Sequence, residues 1–364
     1  MSHALPDKPS AASAASAAPA VAHDQARSRT ARRRAIILLA LLALLGVVAL
    51  ARLMIGSSAL GPPAGADANV IWEIRLYRLA LAASVGSALA VAGVALQTLL
   101  RNPLAEPYIL GLSTGAAAGV MAQSLLFVHL NLALGASHLG ALLGAAASMG
   151  IVYLASRRHG VLDPLGLLLT GVVLSTINGA IIMLLNYLAG PGGIRDDLAR
   201  WMMGYLNEGV GGTTLALVAG ATLAGTAGLL AVHRAMDVAT LSESEARSLG
   251  VPLAGLRTML FGIASLLAAG AVVLAGPIAF VGLICPHLAR LLLGPAHGPL
   301  IIASALLGAS LILAADVASA TIALYSGDWF NRDLGLLPIG IFTAMIGGPV
   351  FLWMLRPHLG RGVE

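Results

Sequence analysis

Long apolar runs separated by short polar or basic segments make up most of the chain. Windows of about 20 apolar residues predict ten helices, over residues 36–55, 77–100, 108–128, 136–156, 165–189, 211–232, 256–275, 278–294, 299–325 and 337–355. Threaded alternately from a cytoplasmic N-terminus, these spans leave fifteen of the 21 Lys and Arg residues on the cytoplasmic side and six outside: Arg52, Arg75, Arg78, Arg195, Arg200 and Arg332. That division obeys the positive-inside rule, and an odd number of spans scrambles it. The fold class expected is an all-α polytopic membrane protein.

Residues 1–34 fall outside the pattern. They are Ala/Ser/Pro-rich as far as Ala22 and then basic at Arg27, Arg29, Arg32, Arg33 and Arg34, a composition that cannot bury a core and is expected to stay disordered as a cytoplasmic tail. A competing reading makes the segment a signal peptide cleaved at Ala49-Leu50-Ala51, but the apolar run continues through Leu53, Met54 and Ile55, against the short apolar region such a peptide has. A second short tail, 358–364, follows the transmembrane unit of 35–357.

Composition narrows the function. Only 10% of residues are charged and 58% are hydrophobic, where soluble domains carry roughly 25% charged residues. The single lysine, Lys8, lies outside any Gly-x-x-x-x-Gly-Lys-Ser/Thr phosphate cradle, so the chain is expected to hold no ATP itself and to be no enzyme. Cys285 is alone, which excludes an intrachain disulfide, and His287 reads better as a packed or helix-end histidine than as half of a metal pair. No metal site and no cofactor are expected. The basic balance (pI ≈ 9.9) fits loops on a membrane protein rather than nucleic-acid binding, because no basic run is interleaved with aromatics.

The most informative stretch is the break Arg101-Asn102-Pro103-Leu104-Ala105-Glu106-Pro107 between two apolar segments. Irregular backbone at that place must face protein or a water-filled path, which reads as part of a transport pathway. A second copy of the pattern follows: Ser84–Ala95 is echoed by Ser265–Gly276, Pro107 and Gly111 by Pro277 and Gly282, and Pro164-Leu165-Gly166 by Pro338-Ile339-Gly340. The copies begin on opposite sides of the membrane, so the repeat is inverted, a transporter signature; shared Ala/Gly/Leu composition is the plainer explanation, which the matched Pro-x-Gly positions disfavour.

Arg75-Leu76-Tyr77-Arg78, the run Gln97–Gly115, the Leu241–Pro252 loop, Gly276–Leu283, Pro286-His287 and Leu337-Pro338-Ile339-Gly340 together resemble the permease subunits of ABC importers for haem, ferric siderophores and vitamin B12. The resemblance covers about residues 36–357. It implies the type II ABC importer permease fold with ten transmembrane helices, and a homodimer in the bacterial inner membrane with both termini cytoplasmic. It also implies two cytoplasmic ATPase subunits that bind ATP and Mg, a periplasmic substrate-binding protein, and a translocation path along the dimer axis.

Each site carries a local reading beside the implied one. Within the loop 237–257, Ser242 followed by Glu245 is a capping box, and Gly250 with Pro252 supplies a stop. A short helix from Glu243 to Leu249 is therefore expected, anchored by Ala239, Leu241, Ala246 and Leu249. Locally it is a solvated connector; the resemblance makes Leu241, Ser242, Glu243, Glu245, Arg247 and Gly250 an ATPase-coupling helix. Arg75 and Arg78 share a helical face and are either interfacial anchors or, by resemblance, docking partners for carboxylates on the binding protein. The family often has an arginine four residues after the aspartate matching Asp316; here Ala320 stands there, and Arg332, in an expected loop from Tyr325 to Gly335, is the substitute. Asn102, Leu104, Asp163, Pro164 and Leu165 match the family's cytoplasmic gate, while Asp163 also suits a helix N-cap before Pro164. Gly111, Ser113, Gly115 and Gly119 read first as helix packing and second as pathway lining.

Haem is favoured as cargo on the overall resemblance and on the soft groups Met202 and Met203, with siderophore or cobalamin as alternatives. A reading from another class is an ion-coupled secondary transporter, for which Asp316 and Glu106 are the candidate carboxylates.

Overall fold

The computed structural model describes residues 11–57, 59–130, 138–158, 160–190, 196–332 and 334–359. Along the chain run α1 (Ala11–Met54), α2 (Ala68–Leu99), a 3-10 turn (Pro107–Leu110), α3 (Leu112–His129), α4 (His138–Ala155), α5 (Pro164–Leu188), α6 (Asp196–Met202) and α7 (Gly212–Ala231). These are followed by α8 (His233–Ala239), α9 (Glu243–Ser248), α10 (Leu253–Ala275), α11 (Val281–Leu293), α12 (His297–Phe330) and α13 (Ile339–Leu359). A two-residue antiparallel pair, Arg157–Arg158 with Val161–Leu162, closes the turn before α5.

Seven described helices are long and apolar enough to cross a membrane. The other three expected spans fall on shorter apolar helices, Leu112–Phe127, Val281–Leu293 and Ile339–Met354. At 1.5 Å per residue the 13 residues of α11 cover about 20 Å of a roughly 30 Å hydrocarbon core, so length alone does not carry α11 across. Each short helix begins beside a Gly/Pro break, which costs it the turns that a continuous span has.

α2 is the hub of the bundle, packed against α10, α11, α12 and α7, and 72% of its apolar window is buried against 11% for the peripheral α1. Close backbone approach also packs α3 against α4. A Cβ on Gly115 or Gly119 of α3 would lie 2.7 Å from the carbonyl oxygen of Gly144 or 2.0 Å from that of Gly140 on α4. These two glycines therefore serve helix packing, the first of the two readings above.

Three boundaries differ from expectation. α1 begins at Ala11, so residues 11–34 of the leader expected to be disordered are helical up to the span; alanine has the strongest helix preference and needs no tertiary partner to express it. α2 begins at Ala68, nine residues before the expected start, which moves Arg75 and Arg78 from a helix end into the packed part of the bundle. α12 continues to Phe330, absorbing half of the expected outer loop; Ser326 Oγ donates to the Ala323 carbonyl at 2.8 Å, and Tyr325 stacks on Trp329 one turn later.

Candidate transport and coupling sites

One end of the bundle holds a buried ionic cluster. Asp316 on α12 is fully enclosed and accepts from Arg78 Nη2 at 2.7 Å and Nε at 2.9 Å, and from Arg52 Nε on α1. Arg78 also pairs with the half-exposed Glu208. Arg75, on the same face of α2, donates to the carbonyl of Leu53 in the last turn of α1 and to that of Gly61 in the segment after it. Both arginines are buried, at 6% and 1% exposure, with partners inside the chain. The expectation that they face outward as docking residues is therefore not the arrangement found: inside a packed helix face, a guanidinium has to be paired. Arg332, by contrast, follows the left-handed cap Asn331 and is exposed.

The two Pro-containing breaks meet in the core. Tyr108 Oη accepts the Ile278 N–H at 2.8 Å, and the Glu106 carboxylate accepts the Phe280 N–H. Gln97 Nε2 donates to the Gly282 carbonyl at 3.1 Å. A Cβ on Gly93 would lie 1.9 Å from that same carbonyl oxygen, so only glycine lets α2 and the start of α11 touch. Irregular backbone is thus satisfied by the other half of the chain and does not face lipid.

At the opposite end, α9 is capped on both sides. Ser242 and Glu245 form the capping box, and the left-handed Gly250 (φ 80) closes a Schellman turn in which the Val251 N–H reaches the Ala246 carbonyl at 3.1 Å. Of the four expected anchors, Ala239 and Ala246 are buried, whereas Leu241 (44% exposed) and Leu249 (64% exposed) face outward. A six-residue helix has too few turns to bury both sides, so its larger apolar groups stay uncovered.

Three contacts tie this segment to the spans. The Asp237 carboxylate accepts the His297 N–H at 2.8 Å and pairs with its ring Nδ1, while His297 Nε2 lies 2.9 Å from Thr98 Oγ1 at the end of α2. Arg101 Nε donates to the Ala239 carbonyl at 3.0 Å. Arg101 is itself left-handed (φ 49), closing a Schellman turn on α2 with the Asn102 N–H to the Gln97 carbonyl. The third contact is Arg257 at the start of α10, 7% exposed, which bonds Glu243 of α9 with one nitrogen and the Leu162 carbonyl at 3.3 Å with another. Hydrogen bonding and charge from Arg257 hold the Glu243 carboxyl below its ordinary range, with Arg101 and Arg247 adding smaller effects.

Leu162 immediately precedes the gate match. Asp163 is the N-cap of α5, accepting the Gly166 N–H at 2.9 Å, so its local role is met; Pro164 is the first helical residue and Leu165 is 63% exposed. Asn102 Oδ1 accepts the Leu104 N–H at 2.9 Å, and Leu104 packs on the small cluster Leu283, Ile284 and Met354. The gate candidates thus form two groups, one at the 101–107 break and one at the turn before α5, and each is held by its own local turn. Arg257 belongs to no motif: an arginine at a helix start counts only as a basic loop charge until its partners are seen.

Weakening α9 at either end is expected to matter. Ser242→Ala removes a side-chain cap worth about 1 kcal/mol, and Gly250→Ala forces a side chain into a left-handed backbone at roughly 1–2 kcal/mol. Both substitutions should reduce transport while the amount of protein in the membrane stays near wild type; equal transport in both variants would remove α9 from the coupling path.

The FecCD transport family model matches residues 35–357. The chain is 37% identical over 298 residues to the cobalamin import system permease protein BtuC of Halobacterium salinarum, covering 81% of this chain and 75% of that protein. It is 36% identical over 291 residues to the hemin transport system permease protein HmuU of Yersinia pestis, covering 78% of this chain and 83% of that one. Among solved structures, an inward-facing metal-chelate type ABC transporter superposes with a TM-score of 0.72 at 29% identity, covering 89% of this chain and 99% of that chain.

Proposed function

This chain belongs to the FecCD transport family, and from that premise we propose that it is the membrane-spanning permease of an ATP-driven importer for an iron-containing chelate, with haem as the cargo. It works as a homodimer in the bacterial inner membrane, with both termini cytoplasmic, two ATPase subunits on the α9 side and a periplasmic binding protein on the Asp316 side. ATP and Mg belong to the ATPase subunits; this chain carries no phosphate loop.

The observation that supports this reading most is α9. It is a rigid, doubly capped helix, with Leu241 and Leu249 uncovered for a partner and Arg257 joining it to the turn before α5. A secondary carrier has no use for such a lever. Its other requirement, a carboxylate free to bind and release an ion, is poorly met by Asp316, which two guanidiniums already hold. On the outer side, docking falls to the exposed Arg332 rather than to Arg75 and Arg78.

Haem rests on less. The hemin and cobalamin relatives are equally similar within a percentage point, and Met203 offers a soft, half-exposed side chain (52%) beside Gly204, where Pro277 and Gly340 converge. Proteoliposomes carrying the permease, its ATPase and its binding protein test both levels. Haem should accumulate only with ATP on the ATPase side; uptake of a siderophore or cobalamin instead would replace the cargo, and uptake without ATP would defeat the importer reading.

A further inference from the structure

A cavity of about 240 Å³ lies between the basic end of α1 and the C-terminal end of α11, bordered by Arg33, Arg34, Ile37, Arg290, Leu291 and Leu292. Two of its guanidinium nitrogens, Arg34 Nε from α1 and Arg290 Nη1 from α11, are buried with no hydrogen-bond partner among the described residues. Leaving such donors unmatched is costly, most of all on a charged group. Two on different helices, bordering one cavity, mark a place for an anion that accepts from both. Among the described residues no carboxylate borders this cavity. Asp237 and Arg290 both line a separate cavity that also holds His297, and Asp237 Oδ1 is already taken by His297. The C-terminal end of α11 contributes about half a negative charge, which three guanidiniums exceed.

The position of the cavity along the chain selects the kind of anion. Arg29, Arg32, Arg33 and Arg34 directly precede the apolar run that starts at Ala35, the place where basic side chains meet a membrane interface. Uncovered apolar side chains continue from the cavity along both helices, Ile36 (57%) and Leu39 (65%) on α1 and Leu288 (39%) and Leu291 (60%) on α11. An oxyanion with acyl chains attached satisfies both features, and basic pockets between spans are known hosts for anionic headgroups. Guanidinium forks suit phosphate oxygens.

We propose that this cavity binds the headgroup phosphate of an acidic phospholipid, clamped between Arg34 and Arg290 with Arg33 at its mouth, and that the lipid pins α1 to α11. Placing it in the cytoplasmic leaflet rests on the orientation proposed above; the site itself does not.

Native mass spectrometry of the full chain released from bilayers tests the site. Wild-type protein from mixed phosphatidylglycerol and phosphatidylcholine bilayers should retain phosphatidylglycerol selectively, and Arg34→Gln/Arg290→Gln should lower that retention at least ten-fold. Arg34→Lys/Arg290→Lys keeps both charges and should retain most of it, as should Arg32→Gln, whose side chain is exposed and outside the cavity; these two variants separate lipid loss from misfolding. Equal retention in the glutamine variant, equal retention of the two lipids, or displacement of the lipid by millimolar inorganic phosphate would overturn the proposal. So would loss of the lipid when the ATPase subunits are bound, which would assign the cavity to a protein contact. Failure of transport in any of these proteins leaves the lipid readout intact, so the site and the importer reading fail separately.

Discussion

Asp316→Ala is expected to cost about 3–5 kcal/mol, the usual penalty for breaking a buried ion pair by removing one partner, and thus a large part of the stability of an ordinary domain. The reason is asymmetric. Asp316 is fully enclosed and neutralises Arg78 and Arg52, at 1% and 3% exposure, and without it two guanidiniums sit close together with only the half-exposed Glu208 to answer them. The detergent-solubilised chain should lose its cooperative thermal transition or melt far earlier than wild type. Asp316→Asn keeps an acceptor but not the charge and should fall between. A triple variant with Arg52 and Arg78 replaced by methionine should recover much of the loss, because apolar packing often matches a buried ion pair. Melting of Asp316→Ala within a degree or two of wild type would mean that the cluster contributes nothing to holding α1, α2 and α12 together. The same geometry predicts that reversing Arg78 to glutamate reports on folding before it reports on docking.

Arg257→Gln should have the largest effect on function relative to stability. Its guanidinium bridges Glu243 of α9 and the carbonyl of Leu162, one residue before the gate candidate Asp163. Glu243 is half exposed and regains water when released, so screening keeps the stability loss small, within about 1 kcal/mol. The mechanical link is lost outright. ATP-driven uptake in proteoliposomes should drop ten-fold or more while the ATPase subunits still bind and hydrolyse ATP, giving a high ratio of ATP consumed to cargo moved. Unchanged uptake would show that the contact of Arg257 with Glu243 and Leu162 plays no part in coupling. The pH dependence has a definite sign. Arg257 holds the folded Glu243 carboxyl below its ordinary value of 4.5, so the contact contributes fully above that value and is lost as pH falls through the lower folded one. Coupling should therefore be insensitive to pH near neutrality, and acid sensitivity near pH 7 would implicate a different group.

What could be read along the chain was whatever depends on local composition and spacing. Apolar run length marks seven spans that are long enough by themselves, because a bilayer demands a fixed number of apolar residues. Ser242, Glu245 and Gly250 mark α9 to within a residue, because a cap is satisfied by neighbours three or four positions away. The break at Pro103 and Pro107, and its echo at Pro277, follow from the missing N–H and fixed φ of proline. None of these needs a distant partner.

Tertiary packing decided the rest. Whether Arg75 and Arg78 face a partner protein or the chain's own interior depends on where α2 starts and on what α12 presents 238 residues away, information that no local window contains. That the two breaks satisfy each other, through Tyr108 with Ile278 and Glu106 with Phe280, is a long-range solution to the cost of burying unpaired backbone. Arg257 shows the same limit from the other direction: along the chain it is one basic residue among 21, and it becomes a link between α9 and the turn before α5 only when folding brings Glu243 and Leu162 within reach of one guanidinium, because a charge removed from water must find its partners wherever the fold places them.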